Sequence, residues 1–229
     1  KISAGVTQTL DSIEKEYFLG DVKKIDKIIK NGETIDPFNI SFFSKILKDN
    51  KGRSFRIKGK GDAIIKFEDG TSGIIDYKTS KFKEKNGKDY TKDLETKINE
   101  YSPQLHGYSL LYSNLEIDEK FLAKHSRAKK PDSIIKSVEE TLKKIKKISI
   151  DKTSLLGLVF IYPEELKSKS KISIDFSFKF TEVKYDMQNF MKLLTSYLDI
   201  LHNANPPDHD EDCETCNLFV SAGRMANEK

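Results

Sequence analysis

The chain has 229 residues, of which 37% are hydrophobic and 33% are charged, and its formal net charge is +4. This length allows a substantial core, so we expect a single domain over residues 1–229. No apolar run approaches the roughly 18 to 20 residues that a membrane-spanning helix needs, and no signal-peptide pattern is visible. We therefore expect a soluble, cytoplasmic protein that has no membrane partner.

Residues 1–50 are predicted to form a helical N-terminal part of the domain. Apolar residues recur at helical spacing over 9–19 and over 21–30, with Gly20 as the break between the two segments. The dipeptide Asp36-Pro37 is expected to open a third helical stretch that ends near residue 48.

Three short apolar runs, at 55–58, 62–67 and 71–77, are predicted to form strands. The dipeptide Asp69-Gly70 lies between the second run and the third. Asp-Gly between strand-like runs is a strong hairpin signal. We therefore expect these two strands to pair through a tight turn.

The predicted hairpin carries charged residues that are expected to converge. Side chains alternate along a strand, so Asp76 and Lys78 point to the same face, and the hairpin can bring Asp62 to that face as well. Two close carboxylates repel each other unless a cation lies between them, and hard oxygen ligands suit Mg²⁺ or Mn²⁺. A lysine beside such an ion could orient a water or stabilise charge on a phosphate. A solvated surface hairpin is the alternative, because acid-x-Lys is a common pattern.

The remaining pattern completes a mixed α/β fold. Helices are predicted over 95–115, 132–147 and 186–203, and strands over 155–162 and 172–180. The first of these strands is continuously apolar, which indicates a buried central position, and the second alternates as a half-buried strand does. Strands enclosed by helices before and after them imply a central mixed β-sheet flanked by helices.

Two polar residues of the predicted helix over 95–115 share a face, because Gln104 and Tyr108 lie four positions apart. Pro103 stands just before them, and proline belongs in the first turn of a helix. We therefore expect the segment that carries both residues to begin near Ser102, with Ser102 as the N-cap. For His106 the sequence leaves two roles open, approach to a substrate or packing.

Three segments resemble the core motifs of the PD-(D/E)XK nucleases, most closely those of the RecB-like branch, which includes CRISPR-associated exonucleases. These segments are Gly59-Lys60-Gly61-Asp62, Ile75-Asp76-Tyr77-Lys78-Thr79-Ser80-Lys81 and Gln104-Leu105-His106-Gly107-Tyr108. They occur in the family's order, and we take residues 51–112 as the catalytic part. The resemblance implies a restriction-endonuclease-like fold.

The resemblance also implies roles for the matching residues. Asp62 and Asp76 would bind Mg²⁺ or Mn²⁺, with the Tyr77 carbonyl as a third ligand. Lys78 would be catalytic, and the site would be lined by Gln104 and Tyr108. Some relatives use a further ligand on an early helix, for which the candidates are Glu14, Glu16 and Asp26.

The function that the resemblance implies is that of a metal-dependent DNA nuclease. A RecB-like exonuclease would hydrolyse phosphodiesters of DNA, preferably single-stranded, in repair, recombination or CRISPR-type processing. The sequence contains no ATP-binding motif, so a helicase or another DNA-processing protein would deliver the strand. The main alternative is a non-catalytic nucleic-acid-binding or scaffolding domain that retains the fold. An enzyme that acts on RNA or on nucleotides also stays open.

A C-x-x-C pair, Cys213 and Cys216, lies in the C-terminal tail over residues 205–229. In an intracellular setting this spacing favours metal binding over a structural disulfide. Several RecB-like nucleases hold an iron–sulfur cluster with one upstream cysteine and three C-terminal ones. This chain can complete such a cluster only with ligands outside it, and we expect an upstream segment before Lys1. A zinc site with His202 and His209 and a pair of free thiols are the alternatives.

The segment over 116–150 is predicted to be a basic helical insertion. Between Lys120 and Lys147 there are ten basic residues and three acidic ones. Such a concentration fits attraction to a phosphate backbone, although a solvated helix face is the alternative. The lysines expected to contact nucleic acid are Lys143, Lys144, Lys146 and Lys147.

Overall fold

The computed structural model describes residues 12–35, 42–79, 90–116, 139–140, 143–145, 152–167 and 173–203. The chain forms two compact units, Lys1–Phe190 and Met191–Lys229. The first unit contains the β-sheet, and the described part of the second is mostly helical. No helix within the described ranges is long and apolar enough to cross a membrane.

The helices and strands have the following bounds. The helices are α1, of which residues 12–18 are described, α2 (Tyr90–Ser113) and α3 (Met187–Leu201), with a short 3-10 helix at Val22–Lys24. The strands are β1 (Gly20–Asp21), β2 (Gly32–Ile35), β3 (Phe42–Phe43), β4 (Leu47–Lys48), β5 (Ser54–Phe55), β6 (Lys58–Gly59), β7 (Ala63–Phe67), β8 (Ser72–Thr79), β9 (Thr153–Lys167) and β10 (Ser173–Val183).

Six of these strands form one mixed sheet in the order β1-β2-β7-β8-β9-β10. Strands β8 and β9 run parallel, and the other neighbours are antiparallel. Strands β7 and β8 are the predicted hairpin, and Gly70 in its turn has a φ of 81°, which glycine adopts without strain. The predicted central mixed sheet with flanking helices is confirmed.

Alternate residues of each strand are buried on opposite faces of the sheet. Ile64 and Ile74 pack with Leu105 of α2 on one face. Ile65 and Ile75 pack with Phe18 of α1 on the other face. This separation follows from the two-residue period of a strand, and it also decides on which face each polar residue of β8 lies.

The predicted helical character of the N-terminal part is wrong for most of its described residues. The helix expected over 21–30 is absent, because β1 leads into a 3-10 helix and then into turns. Val22, Ile25 and Ile29 are buried at the spacing that predicted the helix, but they lie in the 3-10 helix and in the turns and bend that follow it. The third helix is wrong over residues 42–48, which form the short strands β3 and β4.

Two further expectations are corrected by the structure. Helix α2 continues from Tyr90 through Pro103 to Ser113, so no helix boundary lies near Ser102. Proline removes one hydrogen bond there, and the burial of Leu105 and Leu111 on the sheet outweighs that loss. The strand expected over 55–58 is instead divided between β5 and β6, which belong to separate two-stranded sheets.

The other predicted elements are confirmed where the structure describes them. Strands β7, β8, β9 and β10 and helix α3 occupy the predicted positions. In the predicted helix over 132–147, residues 139–140 and 143–145 are helical, with Ile145 buried and Lys143 and Lys144 exposed. Lys146 and Lys147 lie outside the described residues.

Candidate active site

The structure brings Asp62 and Asp76 together at the end of the hairpin. Ala63 pairs with Ile75 in the antiparallel ladder. Asp62 and Asp76 are the next residues outward from this pair, so their carboxylates lie side by side. Asp62 Oδ2 accepts a hydrogen bond of 3.0 Å from the backbone N–H of Tyr77. Asp76 is only 2% exposed and faces α2, as its position two residues after Ile74 requires.

The electrostatics of this pair disfavour two negative charges in the absence of a cation. Burial raises the pKa of Asp76 to about 7, and the negative charge of Asp62 acts in the same direction. The ammonium of Lys78 opposes both effects without cancelling them. Asp76 therefore binds a proton more readily than an exposed carboxyl does.

Lys78 is the centre of a polar chain that runs from β8 to α2. Its Nζ lies 2.5 Å from Asp76 Oδ2 and donates a hydrogen bond of 3.1 Å to Gln104 Oε1. Gln104 Nε2 in turn donates to the Tyr108 hydroxyl at 2.7 Å. The ammonium also lies 4.4 Å from the centre of the Tyr101 ring. Burial raises the pKa of Tyr108, so this hydroxyl stays protonated.

Two glycines let the strand before Asp62 approach α2 closely. A Cβ at Gly59 would lie 2.9 Å from the ring of Tyr108, and one at Gly61 would lie 2.9 Å from the hydroxyl of Tyr112. The backbone N–H of Gly61 donates to that hydroxyl at 3.1 Å. The glycines of the first motif thus set the distance between Asp62 and the helix that carries Gln104.

A family model described as the PD-(D/E)XK nuclease superfamily matches residues 8–218. The chain belongs to the PD-(D/E)XK nuclease superfamily. No curated protein gave a match. A solved structure described as "Crystal structure of SSO0001" is similar at 17% identity and a TM-score of 0.43, covering 96% of this chain and 69% of that one.

Membership in this nuclease superfamily suggests nuclease activity on a nucleic acid, and such nucleases typically use divalent metals such as Mg²⁺. The residues present fit such an ion. Asp62 and Asp76 supply hard oxygen ligands, and the buried Asp76 Oδ2 accepts no hydrogen bond of ordinary geometry although Lys78 lies beside it. Within the described ranges no three His, Cys, Asp or Glu side chains form a metal-binding group.

Helix α1 adds two charged residues beside the hairpin. Glu14 is 9% exposed, and its Oε1 accepts a hydrogen bond of 3.3 Å from Thr79 Oγ1. Lys15, which sequence reasoning missed, lies with its Nζ 3.1 Å from Asp62 Oδ1. One sequence signal indicates which side of α1 faces the sheet. Glu14 lies four residues before Phe18, so the two side chains share a face of the helix, and Phe18 is buried.

The other early carboxylates lie away from this arrangement. Glu16 is exposed on the outer side of α1. Asp26 Oδ1 accepts a hydrogen bond from the backbone N–H of Ile28 within a turn. Of the three candidates for an additional ligand, Glu14 is therefore the one that the structure places beside β8.

His106 packs, which decides between the two roles that the sequence left open. Its Nδ1 donates to the Ser102 carbonyl, and its Nε2 accepts from the backbone N–H of Asp186, both at 2.8 Å. The ring stacks between Tyr185 and Phe190, with centroid distances of 5.7 and 5.8 Å. His106 therefore joins α2 to the start of α3.

The predicted cysteine site cannot be compared with the structure. Cys213, Cys216 and His209 lie outside the described residues. His202 is described and exposed just after α3. An iron–sulfur or zinc site in the tail stays a prediction.

Proposed function

We propose that this protein is a metal-dependent deoxyribonuclease that hydrolyses phosphodiester bonds with Mg²⁺ or Mn²⁺. The observation that carries the proposal is the buried Asp76, paired with Lys78 and placed beside Asp62 at the end of a hairpin. Membership in the PD-(D/E)XK superfamily supports the same chemistry.

Asp62, Asp76 and the Tyr77 carbonyl would hold the ion, and water and substrate oxygens would complete its coordination. When bound, the cation supplies Lewis-acid chemistry, because it acidifies water and draws electron density from a phosphodiester. A cation between the two carboxylates would offset their mutual repulsion.

Lys78 would stabilise the charge that grows on the phosphate as a water oxygen bonds to phosphorus and one ester bond breaks. Asp76 and Gln104 hold its ammonium from two sides, so the charge is oriented before the substrate arrives. Tyr108 orients Gln104 through the hydrogen bond between their side chains. Gln104 and Tyr108 are therefore positioning residues in this proposal.

The proposed biological form is a RecB-like exonuclease that acts on single-stranded DNA in repair, recombination or CRISPR-type processing. A helicase or another DNA-processing protein would supply the strand. This finer role rests on the motif resemblance, whose three segments the fold brings together around Asp76 and Lys78.

The experiment is a cleavage assay on end-labelled single-stranded DNA with Mg²⁺, with Mn²⁺ or with EDTA. We expect cleavage only with metal. Lys78→Ala should lose about 100-fold or more of the rate, because it removes a charge that acts in the transition state. Lys66→Ala is the matched control, since Lys66 is exposed on the neighbouring strand β7. Metal-dependent cleavage that survives in Asp76→Ala would contradict the proposed function.

A second substrate tests the exonuclease form. An exonuclease needs a free end, so a circular single strand should stay intact under conditions that degrade a linear strand of the same sequence. Cleavage of both at similar rates would identify an endonuclease instead, and would leave the metal-dependent chemistry in place.

A further inference from the structure

Each carboxylate of the candidate site is paired with its own lysine. Lys78 Nζ lies 2.5 Å from Asp76 Oδ2, within the same strand. Lys15 Nζ lies 3.1 Å from Asp62 Oδ1 and comes from α1, far away in the chain. Two negative and two positive groups thus meet at the place where the proposed function needs a divalent cation.

The two oxygens of Asp62 have different partners. Oδ2 accepts from the backbone N–H of Tyr77, a bond that holds the end of the hairpin together. Oδ1 is therefore the oxygen better placed for an ion, and it is the one that Lys15 contacts. The side chains are only 9% exposed for Lys15 and 18% for Asp62, so water screens the pair poorly. An ammonium and a divalent ion at one such oxygen repel each other.

The backbone that carries Lys15 is anchored on both sides. Phe18 is buried and stacks on the Tyr77 ring with a centroid distance of 5.3 Å. Glu14 accepts a hydrogen bond from Thr79. Helix α1 is thus tied to β8 on either side of Lys78, so we expect Lys15 to leave Asp62 by a movement of its side chain while its backbone stays in place.

We propose that Lys15 is a counter-ion built into the active site, which a divalent metal displaces from Asp62 and which then binds a phosphate oxygen of the nucleic acid. Metal and phosphate therefore bind cooperatively, because the ion frees the ammonium and the phosphate stabilises it in its new position. By linkage, phosphate strengthens metal binding by the same factor. This inference rests on the proposed function and assigns to it a substrate-binding residue outside the three motifs.

The test measures metal binding rather than cleavage. Mn²⁺ is titrated calorimetrically into the protein with and without thymidine 5′-monophosphate, which carries a phosphate but no diester bond to cleave. In the wild type we expect the nucleotide to strengthen Mn²⁺ binding by about fivefold or more, the lower end of typical coupling between sites. A blank titration of the nucleotide alone corrects for Mn²⁺ that it binds in solution.

Lys15→Met keeps the apolar stem of the side chain and removes its charge. Without the competing ammonium, we expect this variant to bind Mn²⁺ about tenfold more tightly than the wild type in the absence of nucleotide. The gain from the nucleotide should then fall below about twofold. Lys27→Met, at an exposed position after the 3-10 helix, is the matched control and should behave as the wild type does.

The outcomes separate the two proposals. If the wild type binds Mn²⁺ and Lys15→Met binds it no more tightly and with the same nucleotide effect, Lys15 is only a structural partner of Asp62 and the inference is overturned. If the wild type shows no saturable Mn²⁺ binding, the proposed nuclease chemistry itself fails. Should Lys15→Met not fold, Lys15→Gln offers a neutral donor to Asp62 and must show the same two changes.

Discussion

Asp76 titrates differently in the folded and the unfolded chain. Burial and the charge of Asp62 raise its pKa from 3.8 to about 7 in the folded protein. The folded state therefore favours the protonated carboxyl. The stabilisation that the protonated Asp76 gives the folded protein is fully present below about pH 4. It is lost as the pH rises through 7, because the carboxylate charge is better solvated in the unfolded chain.

Asp76→Asn removes this titration. With EDTA present, we expect the wild type to lose on the order of 3 kcal/mol of unfolding free energy relative to the variant between pH 4 and pH 8. Urea unfolding at several pH values measures it. Added Mg²⁺ at pH 8 should stabilise the wild type more than the variant, since the ion offsets the buried charge. A difference that does not change with pH would contradict the prediction.

At the residue scale, the sequence predicted the members of the site that local periodicity connects. The two-residue period of β8 placed Asp76 and Lys78 on one face, and the helical period placed Gln104 with Tyr108. Lys15 could not be found in this way, because its contact with Asp62 depends on where α1 packs. Packing between distant segments is decided by the whole core and not by local pattern.

At the scale of single elements, β9 depends on a residue without a side chain. Gly157 lies between its neighbours on β8 and β10, paired with Ile75 on one side and Glu182 on the other. A Cβ at this position would lie 2.7 Å from Ile75 Cδ1 and would overlap the ring of Phe180. The central sheet therefore has no room for a methyl group there.

Gly157→Ala should lower the unfolding free energy by about 1–3 kcal/mol, which is typical of overpacking in a core. Gly107→Ala is the control within α2, where the nearest atom to a new Cβ is Phe190 Cζ at 3.7 Å. Alanine there should leave stability unchanged or raise it by up to about 1 kcal/mol, because glycine is a poor helix former. Urea unfolding of both variants is the measurement, and equal stabilities would show that β9 can shift.

Some elements were predicted correctly because their residue patterns fit only one type of secondary structure. The apolar runs of β7, β8 and β9 fit buried strands, and the turn at Gly70 defined the hairpin. The segment over 21–30 had helical spacing without an α-helix, since a 3-10 helix and the turns after it bury Val22, Ile25 and Ile29 just as well. Strand β2 was missed because it forms by pairing with β1 and with β7, and the pairing with β7 is a contact between distant residues.

At the scale of the whole molecule, the described part of the basic segment is tied to the core through Ile145. Ile145 is 1% exposed and packs in the cluster beneath α2, while Lys143 and Lys144 just before it are exposed. An anchored helix with outward lysines presents its charge in a defined place. This arrangement suits contacts to a phosphate backbone that are independent of base sequence.

Replacing four lysines at the end of this segment by serine should weaken single-stranded DNA binding for every base sequence. Each phosphate contact that is lost should lower the slope of log affinity against log salt by roughly 0.7. The variant carries Lys143→Ser, Lys144→Ser, Lys146→Ser and Lys147→Ser. A control with the same change in net charge replaces four other exposed lysines, Lys27, Lys48, Lys66 and Lys184.

Fluorescence anisotropy at several salt concentrations measures both variants. The control should keep nearly the slope of the wild type, because a general loss of charge removes few direct contacts. If the segment variant also keeps that slope, its lysines only solvate a helix and the DNA follows another path.

The bond from Tyr77 N–H to Asp62 Oδ2 has an evolutionary consequence. In a lineage released from selection for catalysis, loss of the buried charge at Asp76 would raise stability, whereas an apolar residue at position 62 would leave a backbone donor without its acceptor. Inactive descendants should therefore drift first at position 76 and keep Asp, Asn or Ser at position 62. A pseudoenzyme of this lineage would be recognised by that asymmetry.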